Sequence, residues 1–469
     1  MSFQAQKIRD PLHNIIHFEK SAFENMIWEL INTAPFQRLR RVKQLGFSHF
    51  VYPGATHTRF AHSIGVFHTA RLLMRVIERH LKEVHEWHEA KAHQALAAAL
   101  LHDVGHGAFS HAFEDVGKRL NLKMAKHETV SKALINDSEL TSILQTFGKG
   151  FDLDVADVID EKIAPTIYSS VVSSQFDADR LDYMRRDRLM CGTGHGAIDF
   201  DWLLSNIEIA EVPDGVDDVA AGVVKTFALG PKAFFAAESY IHGLFQLYPT
   251  VYFHKTTRGA EKIFTELLCK IISLSRDGNY SKTGLTKRHP LVQFALNSDS
   301  LEHAQRLDDE VLFGALSQTL EAPDSLISEF SNRLRARKLY RCLDLRRLIL
   351  REIFCNESDV GEIARKVDVL YLQLKDAVED WNKKKKSDIP RILLDKVERK
   401  PYKKISETKG PINQILIRAA DDEWADIREK SDLVKSLEVF KINRAYFAKD
   451  DSLAHDFLVN EVQSLKQRG

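Results

Sequence analysis

From Phe60 onward the apolar residues Phe60, Ile64, Phe67, Met74, Ile77 and Leu81 recur at near-helical intervals, which predicts a long helix with one packed stripe. Arg59 and His62, three apart, fall on a neighbouring face, so His62 can look into a site while the stripe packs. The first two dozen residues differ. Asp10-Pro11-Leu12-His13-Asn14 lies between short apolar stretches and reads as a turn or hairpin, with helices following from about Phe23. The run Ala97 to Leu101 is wholly apolar and ends abruptly in His102-Asp103-Val104-Gly105-His106. An apolar helix that buries such a charged pair must give it a partner or a metal. A second strong helix is predicted over Ile167 to Arg188, stopped by Cys191-Gly192. Along it Asp179, Tyr183 and Asp187 repeat every four residues; a solvated face with i,i+4 pairs explains such a line equally well.

Further on, Pro213-Asp214-Gly215-Val216-Asp217-Asp218 carries turn signals before an apolar run, Val219 to Leu229, that reads as part of a short hairpin. Glu238 to Leu274 reads as helical, interrupted near Pro249 and carrying Tyr248, Tyr252, His254 and Lys255. Arg333, Arg335, Arg337, Lys338, Arg341, Arg346, Arg347 and Arg351 then crowd one helical region, and Lys383 to Lys386 form a basic run. Such charge runs are solvated faces or, in the minority reading, anion or polynucleotide surfaces. Ile392 to Val397, Gln414 to Arg418 and Val439 to Phe447 are β-rich, and the stretch between the last two reads as a helix. The expected fold is mostly α with a small C-terminal α+β lobe. The expected division is a catalytic core over 1–270 and a regulatory or oligomerising lobe over 271–469.

A chain of 469 residues exceeds the usual range of a single core. Lys plus Arg equals Asp plus Glu at 66 each, so global charge offers no argument for nucleic acid or an acidic membrane as partner. Cys191, Cys269, Cys342 and Cys355 show neither zinc spacing nor a disulfide framework, which suits a reducing cytoplasm. No signal peptide is evident, and nothing approaches about 18 consecutive apolar residues. A soluble cytoplasmic protein with no membrane partner is the expectation.

His62, His102, Asp103 and Asp179 supply two imidazoles and two carboxylates, ligands of the kind a first-row divalent metal takes. Four protein ligands leave room for water or a substrate oxygen only in five- or six-coordination, which favours Mn, Fe, Co or Mg over a closed tetrahedral zinc site. Such an ion suits displacement at phosphorus. Nearby, His106 follows His102 by four residues, His111 and Glu114 are three apart, and His127-Glu128 opens another helix. One of these histidines could protonate a leaving oxygen; singly, each is as readily a surface or packing residue.

Pro53-Gly54-Ala55-Thr56-His57-Thr58-Arg59-Phe60-Ala61-His62-Ser63, Leu101-His102-Asp103-Val104-Gly105-His106-Gly107-Ala108-Phe109-Ser110-His111 and Asp177-Ala178-Asp179-Arg180-Leu181-Asp182-Tyr183 closely resemble the HD-domain deoxynucleoside triphosphate triphosphohydrolases, bacterial and animal. The likeness is dense from Lys7 to about Lys255 and fainter beyond. It implies an HD-domain helical core and hydrolysis of dNTPs to deoxynucleoside and inorganic triphosphate. It makes His62, His102, Asp103 and Asp179 metal ligands, and His106 and His127 catalytic with Glu114 as orienting acid. It implies that Arg59 contacts the α-phosphate, that Gln44 and Leu45 meet the sugar edge, and that Tyr183 stacks under the sugar. Asp187 would bond the 3′-hydroxyl, Arg180 a phosphate, and Tyr252 would line the nucleoside pocket. The resemblance also implies a dimer or tetramer and an allosteric nucleotide. Two departures stand out: Leu244, Pro249 and Thr250 occupy the stretch where triphosphate-clamping members carry arginine, and Asn32 stands where nucleotide-activated members carry a guanine-reading acid. Another phosphohydrolase, whether nucleotidase or phosphodiesterase, and a non-catalytic nucleotide- or nucleic-acid-binding regulator are the alternatives.

Overall fold

The Asp10-to-Asn14 segment closes a hairpin between β1 (Gln6–Asp10) and β2 (Asn14–Phe18), which pair antiparallel. Asn14 takes the left-handed turn at φ 63°, a conformation its short polar side chain tolerates. Asp10 Oδ1 accepts the N–H groups of Leu12 and His13, each at 2.9 Å. The computed structural model describes residues 5–160, 166–214, 222–354, 360–384, 389–403, 411–419 and 423–468. The remaining strands are β3 (Ile207–Asp214), β4 (Gly222–Leu229), β5 (Arg341–Asp344), β6 (Ile392–Arg399), β7 (Leu416–Arg418), β8 (Trp424–Asp426) and β9 (Phe440–Phe447).

The first nine helices are α1 (Ala22–Ile31), α2 (Ala34–Arg38), α3 (Arg59–Glu83), α4 (Glu89–Leu101), α5 (His111–Leu120), α6 (His127–Asn136), α7 (Glu139–Phe147), α8 (Phe151–Ile159) and α9 (Ala178–Cys191). After them come α10 (Phe200–Ser205), α11 (Phe234–Leu247) and α12 (Lys255–Arg276). The stripe on α3 is buried from Phe60 to Leu81, as its spacing predicts, and packs with the apolar α4 in one continuous core. Helix α9 starts later than predicted. The segment after Ile167 makes only a 3-10 turn (Ser169–Val171), and the Ser169 and Ser174 side chains bond to neighbouring backbone instead of leaving it to a helix. Asp177 then caps α9 by accepting the N–H of Arg180 at 2.8 Å, and Gly192 ends the helix at φ 66°.

The chain divides into two interleaved units. The first comprises Met1–Tyr252, Ser298–Glu310 and Lys400–Glu438 and carries the β1-β2 hairpin, helices α1 to α11 and a sheet of order β3-β4-β7-β8. In that sheet β3 and β4 form the expected hairpin, with its turn residues 215–221 outside the described segments. Where one helix is expected between Gln414–Arg418 and Val439–Phe447, β8 and two short helical turns (Ile427–Lys430 and Asp432–Ser436) stand instead. The interruption near Pro249 is one turn of π-helix (Tyr248–Tyr252), a form that recurs at functional sites.

The second unit, Phe253–Asn297, Val311–Arg399 and Val439–Gly469, contains α12 and an antiparallel sheet of order β5-β9-β6. The basic region does not form one helix here: it is split between a helix (Ser325–Arg335), β5 and a further helix (Leu345–Ile353), with Arg341 on the strand. Cys355 and Lys385 to Lys386 lie outside the described residues, among which Cys191, Cys269 and Cys342 form no disulfide. No described helix is long and apolar enough to cross a membrane. The architecture is mostly α.

Asp395 on β6 is fully buried and takes Arg258 in a two-point contact at 3.0 and 2.6 Å, with Lys262 at 3.2 Å. Burial pushes its carboxyl up, but Arg258 and Lys262 outweigh that and hold it below the usual range. Asp395→Ala is expected to cost about 3–5 kcal/mol, because two cations lose their buried partner. The sign with pH follows from the depressed value: Asp395 contributes its full stability above the unfolded carboxyl pKa of about 3.9 and loses it as pH falls further. Urea unfolding of wild type and variant should therefore converge below about pH 4.

Candidate metal centre

Three elements of the first unit bring the His/Asp quartet together. His62 sits one turn into α3, His102 caps the C-terminus of α4, Asp103 lies in the turn that follows, and Asp179 is in the first turn of α9. Asp103 is thus on a turn and not on a helix, and His106 is reached through that turn rather than by a helical repeat. The distances are short. His62 Nε2 is 2.9 Å from Asp179 Oδ1 and 3.7 Å from Asp103 Oδ2; His102 Nε2 is 3.4 Å from Asp103 Oδ1 and 3.6 Å from Asp179 Oδ1.

Two glycines make this approach possible. A Cβ on Gly65 would stand 2.1 Å from Asp182 Oδ1, so only glycine lets α3 meet α9 there. A Cβ on Gly105 would stand 2.2 Å from Ser131 N and 2.4 Å from His127 O, so the turn after Asp103 can lie directly on α6.

The donor set fits a divalent cation. His102 Nδ1 donates to Ala99 O at 2.9 Å, which leaves Nε2 as the lone-pair nitrogen, and that atom is buried with no hydrogen-bond partner. His62 Nδ1 donates to Asp182 Oδ2 at 2.8 Å, turning its Nε2 toward the carboxylates. His62, His102 and Asp103 each offer a ligand atom within 4.8 Å of the others. Burial alone would lower the His62 imidazole, yet Asp179 and Asp182 overcome it and raise it to about 10. Asp103 is driven well below the carboxylate range: burial opposes this, but Arg59, His102 and His106 prevail. So many carboxylate oxygens around two buried imidazoles form a cation-seeking site.

Behind the quartet lies a frame that local periodicity does not reveal. Asp182 Oδ1 accepts from His13 Nε2 at 2.7 Å, and Arg186 bonds both Asp182 and Asp10. The β1-β2 turn thereby reaches a metal-ligand candidate through one residue. Asp182 and Arg186, four apart on α9, form an ion pair at 2.8 Å.

On the other side, Arg59 is buried, pairs with Asp103 and donates from Nε to Ser110 Oγ at 2.8 Å. Phe109 and Ser110 both have positive φ, 54° and 52°, an uncommon conformation for non-glycine residues and one that must be held. Asp309 holds it by accepting the N–H groups of Phe109 at 2.6 Å and Lys43 at 3.0 Å. His106 stacks on His127 with centroids 3.9 Å apart, and Glu114 accepts from His127 Nδ1 and, at 3.2 Å, from His111. Burial, with Arg59 and His127 beside it, holds His106 well below its usual value and so neutral at pH 7. Glu114 stays ionised: its burial is outweighed by His111 and His127. His111 itself is largely exposed, its side chain 68% accessible, and reaches the cluster only through Glu114.

Beyond Asp179, α9 carries Tyr183 and Asp187 on the same face. Tyr252 donates its hydroxyl to Asp187 Oδ2 at 3.0 Å, His57 donates from Nε2 to Oδ1 at 2.8 Å, and the Tyr183 and Tyr252 rings meet edge to face at 5.9 Å. His57 carried no role in the sequence reading, although it lies in the quoted motif. Gln44 has a buried side-chain oxygen without a partner, next to the half-buried Leu45. Arg180 is bound back to Asp177 and Ser174 O. Asn32 lines a separate cleft with Arg9, Gln37 and Arg40.

A buried His/Asp cluster at the meeting of three helical elements, beside a second His/Glu cluster, defines a metal-dependent phosphohydrolase centre of the HD class. Residues 59–184 match the HD domain family. The chain is 33% identical to the uncharacterized protein YwfO of Bacillus subtilis over 337 residues, 72% of this chain and 71% of that one. It is 27% identical over 372 residues to the deoxynucleoside triphosphate triphosphohydrolase SAMHD1 of Mus musculus, covering 71% of this chain and 53% of the mouse protein. A phosphohydrolase structure from Bacteroides thetaiotaomicron superposes with a TM-score of 0.68 at 24% identity, covering 95% of this chain and all of that one, which shows a shared fold. The chain belongs to the HD-domain, dNTPase-like family.

Proposed function

We propose that this chain hydrolyses deoxynucleoside triphosphates to deoxynucleoside and inorganic triphosphate. The observation that carries this reading is the polar and aromatic cage that His57 and Tyr252 build around Asp187 and Tyr183, two residues of α9, the helix that also bears the Asp179 ligand candidate. The name of the mouse relative supports it.

His62, His102, Asp103 and Asp179 would hold the divalent ion, and two imidazoles with two carboxylates suit Mn, Fe, Co or Mg. When bound, the ion lowers the pKa of water and polarises a phosphoryl oxygen. Arg59, fixed by Asp103 and Ser110, places its charge on the α-phosphate. Water adds to the α-phosphorus, the bond to the 5′-oxygen breaks, the departing oxygen takes a proton from the His106–His127 pair, and the proton lost by the water replaces the one that pair gives up. Glu114 orients that pair; His111, joined to Glu114, supports it from the solvent side. Gln44 and Leu45 close the sugar edge, Tyr183 stacks beneath the sugar, Asp187 accepts its 3′-hydroxyl, Tyr252 lines the nucleoside pocket, and Arg180 meets the phosphates. A cytoplasmic homo-oligomer, dimer or tetramer, with an allosteric nucleotide at a second site completes the reading.

Leu244, Pro249 and Thr250 favour a second reading, a nucleotidase or phosphodiesterase on the same scaffold, because a triphosphate needs more cationic contacts than these residues offer. One experiment separates the two. Protein loaded with each of Mn, Mg, Fe and Co is incubated with the four dNTPs, singly and mixed, and products are resolved. Deoxynucleoside with intact triphosphate is expected. Orthophosphate from a nucleoside monophosphate, or cleavage of an oligonucleotide, with dNTPs left intact, supports the second reading and removes the first.

A further inference from the structure

Ser110 has φ 52° and ψ −117°, a backbone conformation rare for a residue with a side chain, and Phe109 before it has φ 54°. Such a pair persists only where its surroundings impose it. One carboxylate closes a ring of hydrogen bonds around this turn. Asp309 Oδ1 accepts the N–H of Phe109 at 2.6 Å and Oδ2 that of Lys43 at 3.0 Å, while Ser110 Oγ donates to Lys43 O at 3.3 Å. A serine hydroxyl has one proton. With that proton on Lys43 O, a lone pair of Ser110 Oγ faces Arg59 Nε, which donates to it at 2.8 Å. The ring thus decides the direction of the hydroxyl as well as its place.

Lys43 is in turn fixed to the start of α3. It lies opposite Thr58, Gln44 N donates to His57 O at 3.0 Å, and Arg59 N donates to Val42 O at 2.9 Å. Asp309 therefore ties the backbone that carries Arg59 to the turn that orients its guanidinium. The segment that supplies Asp309 belongs to the same unit and is anchored at two further points. Leu307 O accepts from buried Arg38 Nη1 at 2.9 Å, and Arg38 Nη2 donates to His106 O at 2.6 Å and Val104 O at 3.1 Å. Asp308 Oδ2 accepts from Arg41 Nε at 2.6 Å. Asp309 itself is 3% exposed. Burial pushes its carboxyl up to about 6 against the pull of the two N–H bonds, so above that pH it is ionised and both oxygens accept. The guanidinium sits on a long, flexible stem, and misplacing such a group by about 1 Å costs on the order of 100-fold in rate.

We infer that Asp309 is a positioning residue for Arg59: by holding Lys43 and the Phe109–Ser110 turn together it fixes the Ser110 hydroxyl on Arg59 Nε, and so sets how the guanidinium meets the phosphoryl group in the transition state. This rests on the reading of the centre as a phosphohydrolase with Arg59 on the phosphate.

The test is a double-mutant cycle on the full-length, metal-loaded protein with Asp309→Asn, Ser110→Ala and the pair. Turnover is read on the best-cleaved dNTP and on bis(p-nitrophenyl) phosphate, a diester without a sugar. Asp309→Asn keeps the shape and one acceptor oxygen, and so frees one of the two N–H groups. It is expected to lower kcat about 10- to 100-fold, with KM within about 3-fold and the metal-to-protein ratio unchanged. Ser110→Ala should lower kcat by a similar factor, and Asp309→Asn added to it should cost less than about 2-fold more, because the hydroxyl through which Asp309 acts is already gone. Asp309→Glu, which keeps both acceptor oxygens, should recover part of kcat, and it carries the cycle if Asp309→Asn does not fold in urea titrations. Factors that multiply in the pair, a loss confined to KM, wild-type kcat in Asp309→Asn, or failure of both Asp309 variants to fold makes Asp309 a clamp of the fold alone and overturns the assignment. A wild type that cleaves the diester but no dNTP removes the triphosphohydrolase reading and leaves the cycle to be read on the diester. Cleavage of dNTPs with multiplying factors removes the role of Asp309 and leaves that reading, and a wild type that cleaves neither substrate removes both.

Discussion

Asp103→Ala is expected to strip the protein of bound divalent metal and to destabilise it by about 3–5 kcal/mol, two effects with different causes. The carboxylate is 6% exposed and stands within 3.7 Å of three imidazoles while pairing with Arg59. Removing it deletes a candidate ligand and also leaves a guanidinium, 4% exposed and bonded to Ser110 Oγ, without its carboxylate. The second loss needs no metal, so it should persist after chelation. Asp103→Asn separates the two: the amide oxygen can still accept from Arg59 but is a poor ligand, so most of the stability should return while metal retention does not. Elemental analysis after desalting gives the metal-to-protein ratio, and urea unfolding in chelator gives the stability. An unchanged ratio in both variants would show that Asp103 is a partner for Arg59 and nothing more.

What was legible in the chain follows from what a local pattern can carry. The α3 stripe and the abrupt end of the apolar run at His102 are local signals, and both mark true elements, because a 3.6-residue period and a sudden polar cluster are set by burial on one face. The start of α9 was not, because Ile167 to Phe176 is apolar enough to look helical while its serines satisfy the backbone another way. The frame behind the ligands was hidden for a different reason. His13 meets Asp182 across 169 positions, Arg186 meets Asp10 across 176, and Asp309 meets Phe109 across 200. No window of a dozen residues contains such a pair. The same holds for Lys403, whose backbone N–H Gln175 accepts across 228 positions.

That frame yields the second large effect. Asp182 is fully buried, and each of its oxygens has two donors: Oδ2 takes His62 at 2.8 Å and Arg186 Nε at 2.8 Å, Oδ1 takes His13 at 2.7 Å and Arg186 Nη2 at 3.0 Å. Burial pushes the carboxyl up, yet Arg186 and the histidine bonds hold it well below its usual range, so it is ionised and fixes which nitrogen of His62 carries the proton. Asp182→Asn keeps the shape but weakens that control, and metal affinity is expected to fall about 10- to 100-fold through His62, although Asp182 is not among the candidate ligands. Arg186→Met acts on the other half. It leaves Asp10 and Asp182 buried without their shared cation, for a cost of about 3–5 kcal/mol. One variant should therefore move metal affinity more than stability and the other stability more than metal affinity. Metal titration followed by calorimetry, beside chelator-treated unfolding curves, measures both. If the two variants shift both quantities in the same proportion, the network acts only as a fold clamp, and the orientation of His62 owes nothing specific to Asp182.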